Sequence, residues 1–227
     1  MKTSERRRKD VLAVLIIIYL AIFILSFSIG RFPVSPIELI RIMLSRILPI
    51  EKTWAAQAEA VVFSIRLPRI AVSSFIGAAL ALSGYIFQII FRNPMVSPDV
   101  LGCSAGAGFG AALALLLGMS GSGVSLSAFI AGLAAVMIVW RIGSVMKGNH
   151  ILGLILSGIM VSSVFQSATS FVKLVADPEN ELPAITYFLM GSLAGTGKEE
   201  LMLIIIPMII AFIPVLLLSW RLNILSL

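Results

Sequence analysis

Four polar residues recur along one otherwise apolar stretch: Ser162, Gln166, Thr169 and Lys173, spaced 4, 3 and 4. On a helix turning about 100° per residue they fall within an arc of about 60°. Hydroxyl, amide and ammonium groups in such a row can line a watery pathway or hydrogen-bond a neighbouring helix, and both readings stay open. Other chemistry is sparse. His150 is the single histidine and Cys103 the single cysteine, too few for a metal site or a disulfide framework. The sequence has no Gly-rich loop ending in Gly-Lys-Ser/Thr and no plausibly placed Ser/His/Asp arrangement. It therefore predicts no catalytic residues, no metal and no cofactor, and any nucleotide hydrolysis coupled to this chain must come from another subunit.

A second pattern is built from small residues. Gly77, Ala81 and Gly84 form one patch, and Gly102, Gly106, Gly110 and Ala114 recur every fourth residue. Such spacing lines one helix face with atoms small enough for another backbone to approach closely, so these glycines are read first as packing positions.

The elements that carry both patterns follow from the solvent. Of 227 residues, 59% are hydrophobic and 12% charged, against roughly half apolar and a quarter charged in a soluble domain. The apolar residues come in runs near the roughly 20 needed to cross a hydrocarbon core of about 30 Å. Backbone groups in lipid must bond within their own segment, which makes the runs helices. The predicted fold class is an all-α polytopic membrane protein, a single membrane domain over 1–227 with spans at about 11–30, 70–91, 100–118, 126–146, 151–176 and 201–220. Pro68 and the Arg92-Asn93-Pro94 step bound the second span, and Ser97-Pro98-Asp99 caps the third. Pro207 and Pro214 should kink the sixth. Between spans, Ile37, Ile40, Met43, Leu44 and Ile47 have the spacing of an amphipathic surface helix, and 184–193 is too short to cross.

Net charge is +6, but no basic stripe is interleaved with aromatics on a soluble module, which excludes nucleic acid as the partner. Lys2, Arg6, Arg7, Arg8 and Lys9 stand directly before the first run and place the N-terminus in the cytoplasm. A secretory signal would have a shorter apolar core and a small-residue cleavage site. Six crossings then return the chain to the cytoplasm, with the lipid bilayer of the cell (inner) membrane as its surroundings. Arg31, Arg41, Arg46, Lys52, Arg66 and Arg69 run against this rule, all falling in the first outer segment.

A resemblance explains that exception. Arg66-Leu67-Pro68-Arg69, the run Gly77 to Gly84, Gln88, Arg92-Asn93-Pro94-Met95, Pro98-Asp99, Leu101-Gly102 and Ser104 to Ala107 resemble the hallmark region of the FecCD-type permeases. These are the membrane subunits of type II ABC importers for iron-siderophores, haem and vitamin B12. Leu156 to Ile159 and Phe188 to Gly195 resemble two further stretches of the same family. The resemblance implies a ten-span subunit working as a homodimer, two separate ATPase subunits, and a substrate-binding protein on the outer face. It implies that Arg66 and Arg69 dock that binding protein, that Asn93, Asn149 and His150 belong to a cytoplasmic gate, and that the fifth span lines the path. The chain matches the first six of those ten spans.

The function expected is import of metal chelates, with iron-siderophore placed ahead of haem and cobalamin. The alternative is a non-transporting, truncated permease acting as a membrane scaffold or assembly partner. A secondary transporter ranks last, because no acidic residue falls near the middle of a predicted span.

Overall fold

A computed structural model describes residues 2–30, 32–146 and 150–225. The elements are helices throughout, with no strand among the described residues. In chain order they are α1 (Lys2–Ser28), α2 (Pro36–Leu44), α3 (Ala56–Ala60), a π-wound turn (Val61–Arg66), α4 (Leu67–Phe91), a 3₁₀ turn (Pro98–Leu101), α5 (Cys103–Leu116), α6 (Gly121–Val145), α7 (His150–Val175), α8 (Glu181–Met190) and α9 (Lys198–Leu225). Five stretches among the described residues are long and apolar enough to cross a membrane: Lys9–Ser28, Ala56–Phe91, Gly121–Val145, His150–Val175 and Leu201–Trp220.

Two boundaries differ from those expected. The second apolar helix begins at Ala56 and runs 36 residues to Phe91, about 54 Å at a rise of about 1.5 Å per residue. A proline inside an α-helix removes one amide and strikes the carbonyl four residues back. Here the Leu67 amide donates to the Val62 carbonyl five residues back, and this wider winding carries the helix through Pro68. The expected third span at 100–118 becomes a 3₁₀ turn followed by the 14 residues of α5. Gly102 separates them at φ +70°, in the left-handed region that favours glycine, and Gly118 at φ +67° follows the far end. At about 21 Å, α5 is shorter than a hydrocarbon core of about 30 Å.

The chain divides into two compact units. The first comprises Met1–Ile76 with Leu193–Ile209. Its core gathers Phe27 of α1, Val34 before α2, Leu39 and Ile42 of α2, Trp54, Ala58 of α3 and Val62. Ser35 caps α2 by accepting from the Glu38 amide at 3.2 Å, with Pro36 in its first turn, a standard start signal. The buried side of α2 is Leu39 and Ile42, whereas Ile37 and Ile40 of the expected apolar face stay exposed. That second apolar face suits a helix lying against lipid headgroups. Glu59 receives Lys52 at 3.0 Å and Arg46 at 3.5 Å, and the Arg46 guanidinium sits 4.6 Å over the Phe63 ring. Two cations of the basic 31–69 segment therefore have an acidic neighbour inside the chain.

The second unit, Gly77–Ser192 with Ile210–Leu227, is organised by α5, α6 and α7. A Cβ on Gly106 would meet the Ala131 carbonyl at 2.7 Å, and one on Gly110 the Ser127 carbonyl at 2.5 Å. Ser127 fixes the crossing by donating to the Gly110 carbonyl at 2.7 Å, the kind of interhelical bond that small-residue contacts permit. Ala135, Val139 and Val161 form the α6–α7 core, and Ile185 of α8 closes over Ala112, Val172 and Ala176.

Candidate functional site

The polar row of α7 is divided by the fold. Ser162 is half-buried, and a Cβ built on Gly102 would stand 2.7 Å from its Oγ. Thr169 and Lys173 are half-buried, and Thr169 Oγ1 donates to the Phe165 carbonyl at 2.8 Å. Gln166 is exposed. Its exposed polar companions are Ser163, Ser167 and Ser170, which the 4-3-4 spacing passes over. At about 100° per residue, the exposed polar face is centred about 80° around the helix from the expected row. Ser163 and Ser170 return their protons to the Ile159 and Gln166 carbonyls at 2.9 and 3.0 Å, so these hydroxyls are satisfied within the helix. An exposed primary amide such as that of Gln166 needs water or another protein group inside a membrane. Composition alone could have found this face, since four of the eight residues from 163 to 170 are Ser or Gln.

The residues expected to form a gate lie on two connections of the second unit. Asn93 is exposed after α4, and its Oδ1 accepts from the Met95 amide at 2.9 Å. This Asx turn follows Arg92, which adopts φ 48°. His150 is exposed at the first position of α7. Asn149 lies outside the described residues.

The five packing glycines are not equivalent. Gly102, Gly106 and Gly110 each sit where a Cβ would meet a neighbour below 3.0 Å. Gly84 is only in ordinary contact, with Pro98 at 3.8 Å, and Gly77 meets nothing within 4 Å. A tighter site was missed: a Cβ on Gly158 of α7 would lie 1.9 Å from the Val100 carbonyl. No spacing rule marks Gly158, because its neighbour is an irregular turn 58 residues away in the chain rather than a regular helix.

The two arginines of the expected docking turn are placed differently from one another. Arg66 is buried, with its guanidinium donating to the Phe27 and Phe32 carbonyls. Within the chain its donors point into its own unit. Arg69 is half-buried and donates through Nη2 to the Ala194 carbonyl, while its Nε is a shielded donor without an acceptor among the described residues. One guanidinium there retains hydrogen-bonding capacity. No group of three His, Cys, Asp or Glu with metal-binding geometry occurs among the described residues.

Comparison with known proteins gives this arrangement its context. The molybdate import system permease protein MolB of Haemophilus influenzae is 36% identical over 90% of this chain and 60% of its own length. A probable iron chelatin transport system permease protein of Helicobacter pylori is 36% identical over 74% of this chain and 50% of its own. The Fe(3+)-citrate import system permease protein YfmE of Bacillus subtilis is 31% identical over the whole chain and 66% of its own length. The chain thus spans half to two thirds of these relatives. A solved structure described as an inward-facing conformation of a metal-chelate type ABC transporter superposes with a TM-score of 0.80 at 33% identity, over 96% of this chain and 65% of that one. The model of the FecCD transport family matches residues 16–227, and the chain belongs to that family.

Proposed function

We propose that this protein is a membrane permease of an ATP-driven importer that carries metal chelates or related substrates into the cytoplasm. The observation that carries the reading is the family match along residues 16–227, joined to an exposed polar face on a membrane-length helix, α7. Ferric siderophore is the leading substrate class; haem, cobalamin and, through the Haemophilus relative's name, molybdate are its competitors. Hydrolysis takes place on separate ATPase subunits, and a second permease copy completes the path. The α7 face around Gln166 borders that path, with Ser162, Thr169 and Lys173 along its inner edge. The connections holding Asn93, Asn149 and His150 close it on the cytoplasmic side. Six crossings place both Lys2 and Leu225 in the cytoplasm, α5 completing its crossing with the turn that precedes it. Arg69 faces a substrate-binding protein on the outer side.

The test is cellular accumulation. Deleting the gene should abolish energy-dependent uptake of one radiolabelled compound among ferric siderophore, haem, cobalamin and molybdate, and restoring the gene should return it. Unchanged uptake of all four under starvation for iron, cobalamin or molybdenum contradicts the importer reading and favours the scaffold alternative.

A further inference from the structure

The core of the first unit uses one face of α2 and leaves a second apolar face bare. Buried Leu39 and Ile42 mark the inward side. The winding continues one turn past Leu44, with the Leu48 amide donating to the Leu44 carbonyl at 2.8 Å. At about 100° per residue, Ile37, Ile40, Leu44 and Ile47 then share an arc of about 80°, centred about 150° from the inward side. These four side chains are 39–82% exposed. Polar groups occupy one edge between the two faces, at Glu38 and Arg41, and the opposite edge carries Met43. A helix washed by water would be polar on its outer side. This one can meet water along a single edge, as a helix lying in a membrane interface does.

Depth is set by the first span. Phe27, in the last turn of α1, packs in the same core as Leu39 and Ile42, and the apolar stretch of α1 ends at Ser28. The helix α2 begins at Pro36, soon after that end, so it sits level with the boundary where headgroups meet acyl chains. Charge indicates how it binds there. Between residues 35 and 60, the bases Arg41, Arg46 and Lys52 are matched by the acids Glu38, Glu51 and Glu59, and Glu59 itself engages Lys52 and Arg46. With no net charge to draw anionic headgroups, insertion of apolar side chains must supply the attraction.

We propose that α2 and the turn after it form an interfacial membrane anchor whose bare face is occupied by phospholipid. Ile37, Ile40, Leu44 and Ile47 enter the boundary between headgroups and acyl chains at the end of the first span, and Arg41 stays in the headgroup water. The inference rests on the crossing made by α1 and is independent of the transported substrate.

The experiment measures depth in the native full-length protein, in a cysteine-free background that includes Cys103→Ser. Nitroxides are placed singly at Ile37→Cys, Ile40→Cys, Arg41→Cys, Leu44→Cys and Ile47→Cys, in nanodiscs of phosphatidylcholine with and without phosphatidylglycerol. Collisions with oxygen, which concentrates among acyl chains, are compared with collisions with a nickel chelate, which stays in water. The oxygen-to-nickel ratio should be severalfold higher at Ile40→Cys and Ile47→Cys than at Arg41→Cys, and the same in both lipid mixtures. Free access of nickel at all five positions would place the face in bulk water. Low access of both reagents along the face would mean that protein covers it, either another part of the same chain or a second copy. A ratio that rises only with phosphatidylglycerol would make the binding electrostatic. Each of these three results overturns the anchor. Should a nitroxide disturb the fold, alkylation of the unlabelled cysteines by a membrane-impermeant maleimide gives a second reading. Arg41→Cys should react severalfold faster than Ile47→Cys, and equal rates overturn the proposal.

Discussion

Gly158→Ala is the smallest change with the largest expected effect on the membrane bundle. Its Cβ would sit 1.9 Å from the Val100 carbonyl oxygen and 3.1 Å from the Val100 carbon. Both atoms are backbone, so no rotamer change relieves the clash. Restoring ordinary contact at about 3.3 Å requires α7 and the 98–101 turn to separate by about 1.4 Å, a strain at the upper end of the 1–3 kcal/mol typical of overpacked cores. The helix-propensity gain of alanine over glycine, about 1 kcal/mol, offsets part of this. The expected net loss is about 2 kcal/mol, or roughly a 30-fold shift in the folded-to-unfolded ratio. Gly77→Ala provides the matched comparison, since it gains the same propensity term and meets nothing within 4 Å. Unfolding of the purified chain by denaturing detergent should therefore separate the two variants in opposite directions from the parent. If Gly158→Ala unfolds at or above the parent's midpoint, the close approach of α7 to the 98–101 turn is refuted.

Other outcomes follow from the same geometry. Ser127→Ala removes the bond to the Gly110 carbonyl and should cost about 0.6 kcal/mol in the same detergent titration, the average for interhelical bonds in membranes. In a Cys103→Ser background, cysteines replacing Gln166 or Ser170 should react with a membrane-impermeant thiol reagent in the assembled transporter while one replacing Val164 should not; equal reactivity at all three denies a watery face. Single cysteines at Glu5, Ser120, Gly148, Asn180 and Ile224 should label from inside, outside, inside, outside and inside, and external labelling at Gly148 would overturn the proposed topology. Arg69→Glu should weaken capture of a loaded binding protein at low salt, where charge pairs are least screened, and a Glu→Arg change on the partner should restore it; capture equal to the parent's removes Arg69 from docking.

The class of fold was legible because hydropathy reports directly on the solvent, and the runs near 11–30, 126–146, 151–176 and 201–220 needed nothing else. The start of the helix at Ala56 was not legible. Pro68 reads as a boundary, and only the bond from the Leu67 amide to the Val62 carbonyl reveals the winding that lets the helix pass. Glycine spacing marked Gly106 and Gly110, whose neighbour is a regular helix, and also Gly77, where a Cβ would meet nothing within 4 Å. The exposure along α7 was not legible, because a wheel shows which residues align but not which side a neighbour covers. The burial of Arg66 was hidden for a related reason. Its two acceptors are backbone oxygens brought in from the α1–α2 connection, and carbonyls carry no sequence signature.

The central claim is tested most directly by reconstitution. The native full-length protein is placed in proteoliposomes with its ATPase subunits and binding protein, and uptake of radiolabelled ferric siderophore, haem, cobalamin and molybdate is followed with and without ATP. The account predicts ATP-dependent accumulation of one of these classes that vanishes when the binding protein is omitted. Binding-protein capture and ATP hydrolysis without accumulation of any of the four would contradict it.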